Sequence, residues 1–234
     1  AIFTGVMFYF ATQLRMDAGF AKQLPRDHEY IQTFFEYQDR LFGSNRVIIV
    51  VRAKHGDIWN QEFLAKLQEV TDAIFFLPGV DRRTVASLWT PSTRYFEITE
   101  EGLIADDVIP SHILPTTIGP KEVALVRDNT IKGDYVGRLV AKDYTAAMIT
   151  AELLEVDPKT EKLLDYLDLA RRIEKEIRDK YVDEDFDIHI LGFVALMGQI
   201  ADGATSVVRF FALAFVLTVV AAYYYARSWI LTLL

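Results

Sequence analysis

The sequence predicts an α+β domain held between membrane-spanning helices, and three observations carry that prediction. Residues 210–226 (FFALAFVLTVVAAYYYA) contain no charge and are followed at once by Arg227. Residues 1–14 (AIFTGVMFYFATQL) are likewise uncharged and give way to Arg15 and Asp17. Between these ends, β-branched runs and segments of helical period succeed one another in a charged region large enough for its own core. The boundaries read as 1–16 for the end of a first membrane helix, 17–205 for the α+β domain, 206–226 for a second membrane helix and 227–234 for the start of a third.

The membrane assignments rest on length and flanks. A spanning helix needs roughly 20 apolar residues, and the stretch from Phe210 comes close. Tyr223, Tyr224 and Tyr225 stand near one end, where aromatic rings favour the headgroup zone. Arg209 and Arg227 flank the stretch, and their long stems let the charge leave the hydrocarbon. A buried core helix of a soluble protein is the competing reading, but such a helix normally carries a polar face. The opening run is too short to span and lacks a basic n-region or a small-residue cleavage site. It therefore reads as a membrane helix cut short, not a signal peptide. Trp229-Ile230-Leu231-Thr232-Leu233-Leu234 begins a further apolar run, so the other end reads as cut too. Arg227, in the loop before that run, places the loop in the cytoplasm and the large domain on the opposite side.

Composition excludes several classes. With 25 Lys+Arg against 33 Asp+Glu, the net charge of −8 speaks against a nucleic-acid surface. The same charge keeps the domain clear of anionic headgroups. There are no cysteines, which removes disulfides, thiolate nucleophiles and thiolate metal sites together.

Taken in order, the elements are these. Residues 30–42 form an amphipathic stretch carrying Ile31, Phe34, Phe35 and Leu41, ended by Gly43-Ser44-Asn45. Val47-Ile48-Ile49-Val50-Val51 is too continuous for a half-exposed strand and predicts a central strand covered on both faces. Asn60 caps a helix whose apolar positions Phe63, Leu64, Leu67, Val70 and Ile74 keep helical spacing, and Pro78-Gly79 stops it. Residues 85–89 and 95–98 read as strand, interrupted near Pro91. Residues 99–119 hold Pro110 and Pro115 with no clear period, which predicts a long excursion. Pro120 suits a first helical position, with Val123, Leu125, Val126 and Ile131 behind it. Residues 138–141 and 144–154 read as a hairpin about Lys142-Asp143, and Asp157-Pro158-Lys159-Thr160 as a turn. Asp165 caps a helix with Leu167, Ala170, Ile173, Ile177 and Tyr181 on one face. Asp168 with Arg172 and Glu174 with Arg178 add pairs worth about 0.2–0.5 kcal/mol each. Residues 186–191 are the last strand, and Gly192 leads into an amphipathic helix that runs toward the membrane segment. Two β-α-β units in series match a ferredoxin-like sandwich, with helices on one face of a mixed sheet.

The run Phe76-Leu77-Pro78-Gly79-Val80-Asp81-Arg82, continuing through Val85-Ala86-Ser87-Leu88-Trp89-Thr90-Pro91, resembles the first periplasmic loop of the resistance-nodulation-division exporters, and within them the MMPL type. Asp17-Ala18-Gly19-Phe20 through Leu24-Pro25 and His28-Glu29-Tyr30 is similar to that family's junction after its first membrane helix. Val136-Gly137-Arg138-Leu139-Val140 with Asp143 resembles the strand pair after the mid-domain helix. His189-Ile190-Leu191-Gly192-Phe193 resembles the exit toward the second membrane helix. These matches fall in family order over nearly the whole chain. The resemblance implies a periplasmic porter domain in an inner-membrane protein that uses the proton gradient to export hydrophobic or lipid-like molecules. Its partners would be the lipid bilayer, the remaining membrane domain of the same transporter and that cargo, with homo-oligomerisation left open. The family's proton-carrying acidic residues lie in later membrane helices, beyond Leu234, so none is carried onto these positions. A membrane-anchored sensor with an extracytoplasmic ligand-binding domain is the alternative.

No motif for covalent chemistry emerges, and neither an enzymatic activity nor a cofactor is expected. His28, His55, His112 and His189 lack metal-ligand spacing. Glu100-Glu101, Asp106-Asp107 and Asp183-Glu184-Asp185 lack the alternating oxygens and glycine turn of a calcium loop. There is no phosphate-cradling glycine pattern and no nucleophile elbow. Arg209 reads either as an interfacial anchor or as a contact for an acidic cargo headgroup at the membrane entrance. Asp202 precedes it by about two helical turns, too far for a direct pair on an unbroken helix. Phe34, Phe35, Phe75, Phe76, Trp89, Tyr95 and Phe96 read either as core or as the lining of a path for greasy cargo, with Phe34, Phe35 and Trp89 the candidate contacts.

Overall fold

The structure is a computed structural model and describes residues 9–10, 25, 28–33, 36, 45–100, 102–154, 156 and 164–227. Phe34 and Phe35, the turn at 157–160, most of the opening apolar run and the apolar residues after Arg227 lie outside that set.

Along the described residues the elements are β1 (Arg46–Ala53), α1 (Gln61–Phe76), β2 (Val80–Ala86), β3 (Arg94–Thr99), β4 (Gly102–Asp107), a short 3-10 turn (Pro115–Thr117), α2 (Pro120–Lys132), β5 (Ala146–Leu153), α3 (Tyr166–Ile173), β6 (Phe186–Gly192) and α4 (Phe193–Ala226). Helix α3 passes into a π-helical segment (Glu174–Arg178) and a closing turn (Asp179–Tyr181). The helix starts follow from local chemistry. The Asn60 side chain accepts the Phe63 amide at 2.8 Å, and Asp165 accepts those of Leu167 and Asp168 at 3.0 and 3.1 Å. Pro120 occupies the first turn of α2, where its missing N–H costs nothing, and Glu122 accepts the Gly119 amide at 2.9 Å.

Four strands form one sheet in the order β2-β5-β1-β6. Every neighbouring pair is antiparallel, with Ile49 opposite Ile149 on one side and Ile190 on the other. The expectation of a mixed sheet is therefore corrected. Strands β1 and β2, joined through α1, run parallel but are separated by β5; β5 and β6, joined through α3, are separated by β1. Interleaving the two units turns each parallel crossover into antiparallel contacts.

The central position of β1 agrees with its sequence, but its two faces differ. Val47, Ile49, Val51 and Ala53 are buried, Ile48 and Val50 are half-buried, and Arg46 and Arg52 are exposed. An antiparallel sheet leaves one face partly open, so the unbroken β-branched run reflects strand preference as much as double coverage. The covered face packs against Phe63, Leu64, Leu67, Val70 and Ile74 of α1 and Leu169, Ala170, Ile173 and Ile177 of α3 and its continuation, in one hydrophobic core.

Three further boundaries moved. Strand β2 begins at Val80, and residues 87–90 form a turn in which the Ser87 amide donates to Thr90 Oγ1 at 3.0 Å. The excursion contains a strand: β4 pairs with β3, setting Phe96 opposite Ala105 and Ile98 opposite Leu103. Residues 138–141 make only isolated bridges, Val140 to Val136 and to Ala147, because the amides of Leu139 and Val140 both turn back to the Tyr135 carbonyl.

Candidate functional site

The sheet hands over to the apolar helix at Gly192. Its φ of 117° is one that L side chains rarely adopt, and a Cβ there would press on the Arg46 carbonyl oxygen of the neighbouring strand. The chain then enters α4, a single helix of 34 residues. Val194, Met197 and Ala201 are buried in its first three turns and pack against α3. At the crossing, a Cβ on Gly198 would lie 2.9 Å from that of Ala170, so glycine sets how closely the two helices approach.

Beside this crossing lies a cavity of about 560 Å³ between α3, its π-helical continuation and the start of α4. Leu167, Ile173, Ile190, Val194 and Ala201 supply apolar lining; Arg171, Lys175, Arg178, Glu174, Asp179 and Asp202 bring charge of both signs. Arg178 is committed: it pairs with Glu174 at 2.9 Å and donates from Nε to the Ile188 carbonyl at 3.3 Å. Among the described residues, no ion pair engages Arg171 or Lys175. The arrangement suits a ligand with an apolar body and a polar end. Sequence reading missed this cavity; its walls come from two separate segments, residues 167–179 and 190–202, and the π-helical segment leaves no periodic signature.

Past Ala201, α4 leaves the domain. An 18-residue window of it has a mean hydropathy of 2.1 with none of the window buried, and among the described residues it is the one helix long and apolar enough to cross a membrane. Arg209 is exposed on this helix, and among the described residues it has no ion-pair partner. Asp202 lies seven residues earlier on the unbroken helix, about 10 Å along its axis, so the two do not pair.

The aromatic residues with described side chains do not gather into one path. Trp89 is half-buried against the core and donates its indole N–H to the Leu64 carbonyl at 2.8 Å. Phe75 and Phe76 meet edge-to-face at 5.3 Å, with the Arg82 guanidinium 5.6 Å from each ring. Tyr95 lies beneath Lys132, 5.9 Å from ring centre to Nζ, and Phe96 is 62% exposed on the β3–β4 hairpin. Among the described residues no cluster of His, Asp and Glu is arranged to hold a metal ion. Where carboxylates depart from ordinary acidity the causes are structural. Arg83 holds Asp81 low through its hydrogen bonds and charge, and burial raises Asp72. No protein-family model matches the chain, and no curated protein matches it.

Proposed function

We propose that the chain supplies the first periplasmic domain and flanking membrane helices of a proton-driven exporter of hydrophobic or lipid-like molecules in a bacterial inner membrane. The observation that carries this reading is α4, which runs on unbroken from the domain while none of its most apolar window is buried. Exposed hydrocarbon of that extent is unfavourable in water by about 25 cal/mol per Å², and a bilayer removes the penalty. The resemblance of residues 76–91 to the periplasmic loop of the resistance-nodulation-division exporters gives the reading its direction.

We read the sheet as ferredoxin-like, on the strength of its strand order and of the two interleaved β-α-β units. On this reading the domain performs no covalent chemistry. It guides cargo past the α3–α4 cavity and shifts its packing as the membrane helices move, with Arg209 holding the interface. The test uses the complete protein in energised cells. A hydrophobic fluorescent dye should accumulate less when the protein is expressed, and a protonophore should abolish the difference. Dye levels indifferent to both, together with a soluble signalling module after the apolar helices, would favour the sensor instead.

A further inference from the structure

The indole N–H of Trp59, on the loop between β1 and α1, is buried and has no hydrogen-bond partner among the described residues. Burying a donor without an acceptor is costly, so the position asks for an explanation. The Trp59 ring centre lies 5.8 Å from that of Tyr144, and the Arg127 guanidinium lies 5.4 Å from the same Tyr144 ring. Tyr144 has a φ of 58°, a left-handed backbone that a bulky residue seldom takes. Strain of this kind persists where surrounding structure enforces it, and it concentrates at ligand sites. Trp59 and Arg127 both line a cavity of about 390 Å³ between the 57–59 loop and α2.

The chemistry of the walls narrows the ligand. Val123 and Ile131 offer apolar surface, while Arg127, Asp57 and Asp128 bring charge. Among the described residues no ion pair engages Arg127. Asp57 Oδ1 accepts the Trp59 backbone amide at 3.0 Å, and Asp128 Oδ2 lies 3.1 Å from Lys132 Nζ. The second oxygen of each carboxylate has no hydrogen bond among the described residues. A ligand carrying only a carboxylate would meet two aspartates, and one carrying only an amine would meet Arg127. A molecule with both charges satisfies both sides, and the volume suits one small molecule.

We propose that this cavity binds a small zwitterion with an apolar side chain, of the α-amino-acid class. The ligand's carboxylate goes to Arg127 and, as the indole tilts to uncover it, to the Trp59 N–H; its ammonium goes to Asp57 and Asp128, and its side chain to Val123 and Ile131. This site is independent of the exporter reading and of the α4 cavity.

The test titrates the full chain in nanodiscs with L-leucine, isocaproate and isoamylamine, which share a side chain and differ in charge, following binding by calorimetry and tryptophan fluorescence. L-Leucine should bind saturably and at least about tenfold more tightly than either singly charged analogue. Arg127→Gln should weaken it by about tenfold or more. Trp59→Phe, which keeps an aromatic ring but loses the N–H, should remove the fluorescence response and weaken binding about fivefold. Circular dichroism confirms that each variant is folded. Absence of saturable L-leucine binding, equal binding of all three probes, or unchanged affinity in folded Arg127→Gln overturns the proposal.

Discussion

Gly192 carries more of this fold than its size suggests. The strand-to-helix switch needs a positive φ there, and the adjoining Arg46 carbonyl leaves no room for a methyl group. Gly192→Ala should therefore cost about 2 kcal/mol or more, read as a drop in the denaturation midpoint. Asp183 makes a different prediction. Burial works against its charge, but hydrogen bonds from Lys66 and from the amides of Asp185 and Phe186 outweigh it and hold the carboxyl below its ordinary range. Because folding lowers this pKa, the stabilisation is fully present above the unfolded value of about 3.9 and is lost as pH falls through the lower folded value. The side chain is 41% exposed and its bridge to Lys66 spans 2.9 Å, so solvent screening keeps the contribution modest. Asp183→Ala should cost about 1 kcal/mol near neutrality, and wild type and variant should converge in acid. A gap that stays constant down the acid limb would refute the linkage.

At the scale of elements, the α3–α4 crossing decides how the domain is joined to its apolar helix. Gly198 allows the approach, and the buried Val194, Met197 and Ala201 complete it. Gly198→Leu should push the helices apart and destabilise the domain by about 1–3 kcal/mol, the usual cost of overpacking. Hydrogen exchange should quicken in α3 and leave the β1–β5 ladder protected. Equal loss of protection in both would mean that the crossing is no separate joint. The caps Asn60 and Asp165 and the first-turn Pro120 were legible in sequence because each acts within a few residues of itself. Strand β4 was not: five of its six residues are exposed, so burial imposed no alternation to read. The cavity beside Gly198 was equally hidden, since a glycine on a helix gives no sign of which neighbour it admits.

For the whole molecule, the exposed apolar length of α4 predicts behaviour in bulk. The chain should sediment with membranes and require detergent for extraction. Leu217 is 60% exposed near the middle of the apolar run. Leu217→Arg should lower the membrane-integrated fraction, since a central arginine costs about 2.5–3.5 kcal/mol on insertion scales. A wild-type chain that stays monomeric in buffer without detergent would remove the basis of the membrane reading.

The amino-acid order by itself determined the helix starts, the β-branched centre of the sheet and the apolar run of α4, because propensity, capping and hydrophobicity act over short distances. Tertiary structure alone decided which strands became neighbours, which face of β1 was closed and where the cavities opened. Those outcomes depend on contacts between residues far apart in sequence, such as Val47 with Gly192 and Ile49 with Ile149, and no local pattern encodes them.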